Sequence, residues 1–168
     1  MKVVYYILNY TIINKIKFDN YKMKYLLKKQ EDPYFCIPAC LQAILNNYNV
    51  ILKQEEIAKK INCNEKGVFD LDPVKNFMNG FGFKFNYFNW NEIANDARDT
   101  FLETNDDVLI AIPTSKGEKH VLLLEKFIDP ILYAIDPNNI EIYELNLFEL
   151  TNLMSNRNSG GYGLIEKL

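Results

Sequence analysis

The sequence predicts one α+β domain in which helices come first along the chain and an antiparallel sheet follows. Three observations support this prediction. The chain has 168 residues, of which 48% are hydrophobic and 24% charged, as in an ordinary globular domain. Apolar residues recur at helical spacing early in the chain, whereas short apolar or alternating runs separated by turn residues follow later. No repeat or flexible linker divides the sequence, so we expect a single domain spanning residues 1–168.

Residues 1–29 form a Lys-rich N-terminal extension with one apolar run, from Val3 to Ile13. Polar residues interrupt this run and no small-residue cleavage site follows it, which argues against a signal peptide. At about 11 residues it is also far shorter than the ~20 that a membrane-spanning helix needs. We therefore interpret the run as a strand.

Three helices are predicted after the extension. They are Cys36 to Tyr48, Gln54 to Ile61, and Pro73 to Asn79. Pro38 is tolerated only in a first helical turn, so it places the start of the first helix close to Cys36. We expect the third helix to end at Gly80 and Gly82 in left-handed conformation.

Strands rich in β-branched and aromatic residues make up most of the remaining chain. They are predicted at Phe83 to Phe88, Val108 to Pro113, His120 to Phe127, Ile131 to Ile135, Ile140 to Leu145, and Tyr162 to Lys167. Two further helices are predicted at Asn91 to Glu103 and Leu147 to Met154. Short turns between the strands indicate antiparallel neighbours. The alternation of aromatic residues from Phe81 to Trp90 favours a place in the sheet core over a substrate groove.

Charge and cysteine content narrow the classes of function. The chain carries 19 basic and 22 acidic residues, and its only arginines are Arg98 and Arg157, so it lacks the basic face of a nucleic-acid-binding protein. Three cysteines without regular spacing favour free thiols in a reducing compartment, and we expect a cytoplasmic protein.

One cysteine and one histidine suit nucleophilic catalysis. Cys36 is the candidate nucleophile because a helix N-terminus favours the thiolate form of cysteine. Cys40 lies one helical turn deeper and lacks this advantage. His120 is the only histidine in the chain and therefore the only candidate imidazole base.

Two further residues can complete such a site. If a turn centred near Ile128 joins two antiparallel strands, His120 and Asp136 lie opposite each other. A carboxylate in this place would orient the imidazole and stabilise its protonated form. Gln30, six positions before Cys36, could bring its amide to the helix N-terminus and bind an oxyanion together with the Cys36 backbone N–H.

These residues occur in three motifs. They are Gln30-Glu31-Asp32-Pro33-Tyr34-Phe35-Cys36-Ile37-Pro38-Ala39-Cys40-Leu41, Gly117 with His120-Val121, and Asp136-Pro137. Together with the order of the elements from about Gln30 onward, they resemble the papain-like bacteriocin-processing peptidases, also called double-glycine peptidases.

The resemblance implies a papain-like cysteine peptidase fold and a peptide or protein substrate. Catalysis by a thiolate and an imidazole needs no cofactor, and we expect no metal. It implies Cys36 as nucleophile, His120 as general base, Asp136 as the orienting acid and Gln30 in the oxyanion hole. Members of this family are often fused to an export transporter, and we expect this chain to act either alone or with a separate transporter or partner protein.

The motif departs from the family pattern on either side of the nucleophile. Phe35 and Ile37 stand where the family usually has an acidic residue and a glycine. Ile37 would crowd the approach of a substrate backbone, which predicts a changed substrate preference.

Other functions are compatible with these four residues. Acyl transferases and amidases use the same catalytic groups as peptidases, and a non-catalytic peptide-binding module could keep the fold. Cys36, Cys40, Cys63 and His120 form an alternative set of zinc ligands. The spacing of Cys36 and Cys40 within a helix is unusual for such a site, so the catalytic interpretation is favoured and Cys63 is interpreted as a structural or surface thiol.

Overall fold

A computed structural model describes residues 22–90, 97–113, 119–153 and 160–168, and the backbone of 15–16 and 154–157. The strand predicted at Val3 to Ile13 lies outside these residues, as do Gly117 and the first part of the helix predicted from Asn91. Within the described residues, no helix has the length and apolar character that crossing a bilayer requires.

The described residues form helices on an antiparallel sheet. The helices are α1 (Cys36–Asn47), α2 (Gln54–Lys60), α3 (Asp72–Asn79), α4 (Ala97–Glu103) and α5 (Leu147–Arg157). The strands are β1 (Lys15–Ile16), β2 (Phe83–Asn89), β3 (Asp107–Pro113), β4 (Lys119–Ile128), β5 (Ile131–Asp136), β6 (Glu141–Asn146) and β7 (Gly161–Lys167). The sheet order is β1-β6-β5-β4-β3-β7-β2, and every pair is antiparallel.

The predicted α+β class is confirmed. Each helix and strand predicted within the described residues is present, with ends that shift by at most three residues. The short strand β1 was not predicted. Gly82 has the expected left-handed conformation with φ of 76°, but the prediction for Gly80 is wrong because its φ of −59° continues the helical backbone.

Hydrophobic cores cover both faces of the sheet. Helices α1, α2 and α3 pack on one face, and α4 and α5 pack on the other. The central strand β4 supplies both cores, because Val121 and Leu123 point to the first core and Leu122 and Leu124 to the second. Its continuous apolar sequence follows from this burial on both faces.

Candidate active site

Cys36 is the first residue of α1, and its side chain is partly exposed. Before the helix the chain turns, with the Phe35 N–H donating to the Asp32 carbonyl over 3.0 Å. The N–H groups of the first helical turn have no acceptor within the helix and carry the positive end of its dipole. The thiol therefore lies where a negative charge is favoured and where a substrate can reach it.

His120 and Asp136 form a buried pair on neighbouring strands. His120 Nε2 lies 2.8 Å from Asp136 Oδ1, and the two residues are only 8% and 1% exposed. The Asn138 backbone N–H donates to the same carboxylate oxygen over 2.8 Å. The carboxylate is thus fixed by the turn that follows β5 and in turn fixes the orientation of the imidazole.

The predicted register between these strands is wrong, although the contact is present. Leu123 pairs with Ile135, so the same register places Asp136 opposite Leu122 rather than His120. The turn lies later than expected, at 129–130, and a bulge between Leu124 and Lys126 corrects part of this shift. The observed register therefore differs from the predicted one by two residues at this end of the strands. Because a shift of two residues does not change the face of a side chain, His120 and Asp136 stay on the same face of the sheet, where diagonal neighbours still touch.

The environment of His120 favours its protonated form. Burial alone would lower the pKa of His120, but hydrogen bonds to Asp136 and Cys36, and the charges of those two groups, raise it to about 9. Because Nε2 faces Asp136, Nδ1 is the ring nitrogen available to the Cys36 thiol. The structure therefore brings the three predicted residues together with the imidazole in the middle.

Gln30 also lies at this site. Its backbone N–H donates to the Pro137 carbonyl over 2.7 Å, and its Nε2 donates to the Asp32 carbonyl over 2.9 Å. These contacts link Gln30 to the residue after Asp136 and to the turn before Cys36. Because an amide nitrogen carries two hydrogens, one donor remains for a ligand.

The other two thiols are in different environments. Burial, followed by the charges of Cys36 and Asp136, raises the pKa of Cys40 well above its usual value. Burial also raises the pKa of Cys63 to about 11, with smaller effects from Cys36 and Asp32. Among the residues that the structure describes, no group of three or more His, Cys, Asp or Glu side chains is placed to hold a metal ion.

A cavity of about 370 Å³ opens beside Cys36. Its walls are mainly apolar and come from the 66–71 loop, from Ile37, and from β2, β3, β4 and β7. Phe85 and Tyr87 both line it, so the aromatic strand contributes to this groove as well as to the core. Gly163 leaves room for the Phe85 ring, since a Cβ there would lie 2.5 Å from a ring carbon.

Sequence reasoning placed Cys36 and Ile37 at the substrate approach, but it missed the 66–71 loop and Gly163 and favoured the sheet core over a groove for the aromatic residues of β2. The 66–71 loop has no periodic pattern, and the alternation of β2 is the same whether its aromatic face meets a core or a groove. A glycine within a strand, as at Gly163, is a signal that could have indicated close approach of another chain segment.

Solved structures share this fold. The peptidase domain of Streptococcus ComA, a bifunctional ABC transporter involved in quorum sensing, is 16% identical, with a TM-score of 0.64 over 84% of this chain and 98% of that one. A double glycine motif protease from an AMS/PCAT transporter, solved with a leader peptide, is also 16% identical, with a TM-score of 0.64 over 89% and 96%.

Sequence comparison gives the family. No curated protein matches the chain. The family model described as the Peptidase C39 family matches residues 24–155, a range that includes all four predicted site residues. The chain therefore belongs to the Peptidase C39 family and is a papain-like cysteine peptidase of the double-glycine type.

Proposed function

We propose that this chain hydrolyses a peptide bond through a Cys36-His120-Asp136 triad and a covalent acyl-enzyme. The observation that carries the proposal is the position of His120, which contacts Cys36 on one side and holds a 2.8 Å hydrogen bond to buried Asp136 on the other. A nucleophile, a base and a group that orients the base are the parts that this chemistry requires.

In the first half of the reaction, the Cys36 thiolate attacks the substrate carbonyl carbon and a C–S bond forms. The carbonyl oxygen becomes an oxyanion, which accepts hydrogen bonds from Gln30 Nε2 and the Cys36 backbone N–H. When the C–N bond breaks, protonated His120 gives its proton to the leaving amine.

In the second half, neutral His120 takes a proton from water as the water oxygen attacks the thioester. The C–S bond breaks, the peptide leaves as a carboxylic acid, and the thiolate and protonated imidazole are restored. Asp136 accepts a hydrogen bond from the His120 ring and stabilises the imidazolium.

For the substrate, we propose a leader peptide with small residues at the cleaved bond. Ile37 lines the cavity beside Cys36, and its side chain, larger than the glycine usual at this position in the family, should restrict the residue next to the scissile carbonyl to glycine more strictly. The mainly apolar walls suit apolar side chains elsewhere in the peptide. The related double glycine motif protease was solved with a leader peptide and belongs to a transporter, so we also propose a transporter as partner.

The test uses synthetic peptides that carry Gly-Gly, or Ala-Ala in its place, followed by mass spectrometry of the products. We expect cleavage after Gly-Gly with a free carboxylate, loss of cleavage in Cys36→Ala and His120→Ala, and retained cleavage in Cys63→Ala. Cleavage that persists in Cys36→Ala would contradict the proposal, and an amide or ester product would indicate acyl transfer instead.

A further inference from the structure

We infer that Gln54, the first residue of α2, is a positioning residue that holds the oxyanion donor Gln30 in place. This inference rests on the role proposed for Gln30. Gln54 is fully buried, although it begins a short helix that is otherwise largely polar. Burying an amide without hydrogen bonds is costly, so its partners indicate what it does.

The Gln54 amide pairs with both residues that flank Gln30. Its Oε1 accepts the Glu31 backbone N–H over 2.9 Å, and its Nε2 donates to the Lys29 carbonyl over 3.0 Å. In an extended segment, the carbonyl before a residue and the N–H after it point to the same side of the chain. The Lys29 carbonyl and the Glu31 N–H are in this relation to Gln30. The Gln54 side chain therefore occupies the place of a neighbouring strand.

The opposite side of the segment is also fixed. The Gln30 N–H donates to the Pro137 carbonyl over 2.7 Å, directly after Asp136. Gln30 is thus held between Gln54 on one side and the turn after β5 on the other. We therefore expect the contacts on both sides to keep the Gln30 side chain, which donates to the Asp32 carbonyl, beside the turn that precedes Cys36.

Gln54 is itself held by the helix that carries the nucleophile. Its Nε2 donates to Gln42 Oε1 over 3.3 Å, and Gln42 Nε2 donates to the Leu52 carbonyl over 2.6 Å. Gln42 belongs to α1, which begins at Cys36. A continuous set of hydrogen bonds therefore connects the helix of the nucleophile to the backbone around the oxyanion donor.

This arrangement predicts an effect on kcat rather than on KM. The oxyanion exists only in the transition state and the tetrahedral intermediate, so a displaced donor weakens binding there and not in the ground state. A displacement of about 1 Å can cost ~100-fold in rate. Losing Gln54 should therefore lower kcat about 10- to 100-fold with little change in KM.

The experiment measures kcat and KM for the Gly-Gly peptide in Gln54→Met, Gln30→Ala and the double variant. Met has a similar length but cannot pair with the backbone. If Gln54 acts through Gln30, the double variant should have the kcat of Gln30→Ala within about twofold. Thr151→Val, which removes a buried hydroxyl from α5, is the matched control and should keep the wild-type kcat.

The rate of Cys36 alkylation by iodoacetamide is a second measurement, which distinguishes a displaced oxyanion donor from a general loss of structure. A general loss of structure would change this rate. This reaction requires the thiolate but forms no oxyanion, so we expect an unchanged rate in Gln54→Met. Gln54→Glu keeps the acceptor for Glu31 but lacks the donor to Lys29, and it replaces Gln54→Met if that variant does not fold. We expect it to show the same dependence on Gln30.

The outcomes separate the two proposals. If the wild type does not cleave, the proposed function fails and this inference with it. If the wild type cleaves but the Gln54 substitution lowers kcat equally with and without Gln30, the positioning role alone is overturned. Slower alkylation of Cys36 in the Gln54 variants, or an equal loss in Thr151→Val, would also overturn it.

Discussion

His120 and Asp136 are in contact although they are not opposite each other in the β4–β5 pairing. The pair Leu123 and Ile135 sets the register, which leaves the two site residues diagonal, with 2.8 Å between Nε2 and Oδ1. Because the carboxylate is buried and also accepts the Asn138 N–H, it has a fixed position. The imidazole is therefore oriented before any substrate binds.

Replacing Asp136 by Asn tests this orientation. The amide is the same size and can still accept a hydrogen bond, but it carries no charge and stabilises the protonated imidazole less, so we expect kcat for the Gly-Gly peptide to fall at least about tenfold. Asp107→Asn is the matched control, because Asp107 is another buried carboxylate of the sheet and bonds instead to Tyr25 and Tyr48. Similar kcat losses in the two variants would contradict a specific role for Asp136.

The proton on His120 should also make stability depend on pH. Burial lowers the pKa of His120, but Asp136 and Cys36 outweigh it and hold the value at about 9, above the ordinary 6.5. The folded state therefore binds this proton more tightly than the unfolded chain does. Its contribution to stability is complete below pH 6.5 and is lost as the pH rises through about 9.

Urea denaturation of the wild type and His120→Gln at several pH values measures this effect. Between about pH 6.5 and 9, the free energy of unfolding should fall further in the wild type than in the variant, by an amount of the order of a few kcal/mol. A difference between the two proteins that stays constant over this window would show that the proton is not bound more tightly on folding.

Gly163 should be required for the cavity wall. In Gly163→Ala the new methyl group would meet the Phe85 ring at 2.5 Å, so the ring must move. Overpacking of this kind costs about 1–3 kcal/mol, which thermal denaturation would detect. The double variant Gly163→Ala with Phe85→Leu should recover part of the loss, and a double variant less stable than both single variants would argue against this contact.

Ile37 should set the preference for small residues at the cleaved bond. Ile37→Ala enlarges the cavity beside Cys36, and we expect the ratio of kcat/KM for Gly-Gly over Ala-Ala peptides to fall about tenfold. Wild type and variant are compared with the same two peptides. An unchanged ratio would mean that another residue selects glycine.

The sequence predicted the positions of the elements better than their pairing. Pro38 and the apolar spacing place α1 because both act within a few residues, and the start of this helix fixes where Cys36 lies. The β4–β5 register depends on a later turn and on a bulge at Glu125, whose carboxylate accepts the Lys24 N–H from a distant part of the chain. The spacing of apolar and turn residues in the sequence does not indicate such a long-range contact.

The role of Gln54 also could not be predicted from the sequence. In the sequence it is one polar residue at the start of a short, largely polar helix, and its type resembles that of a solvated surface residue. Its role depends on backbone groups of residues 29 and 31, which are 25 and 23 positions away. Only the packing of α2 against the segment before α1 places these groups together.

The most direct test of the proposed site is the rate of Cys36 alkylation by iodoacetamide as a function of pH. We expect Cys36 to react rapidly below pH 7 in the wild type and much more slowly in His120→Ala, because an imidazolium partner favours the thiolate. Cys63 is the internal control, since burial and the charges of Cys36 and Asp32 raise its pKa to about 11. If Cys36 instead reacts no faster than a free thiol, or keeps its rate when His120 is removed, the proposed triad is contradicted.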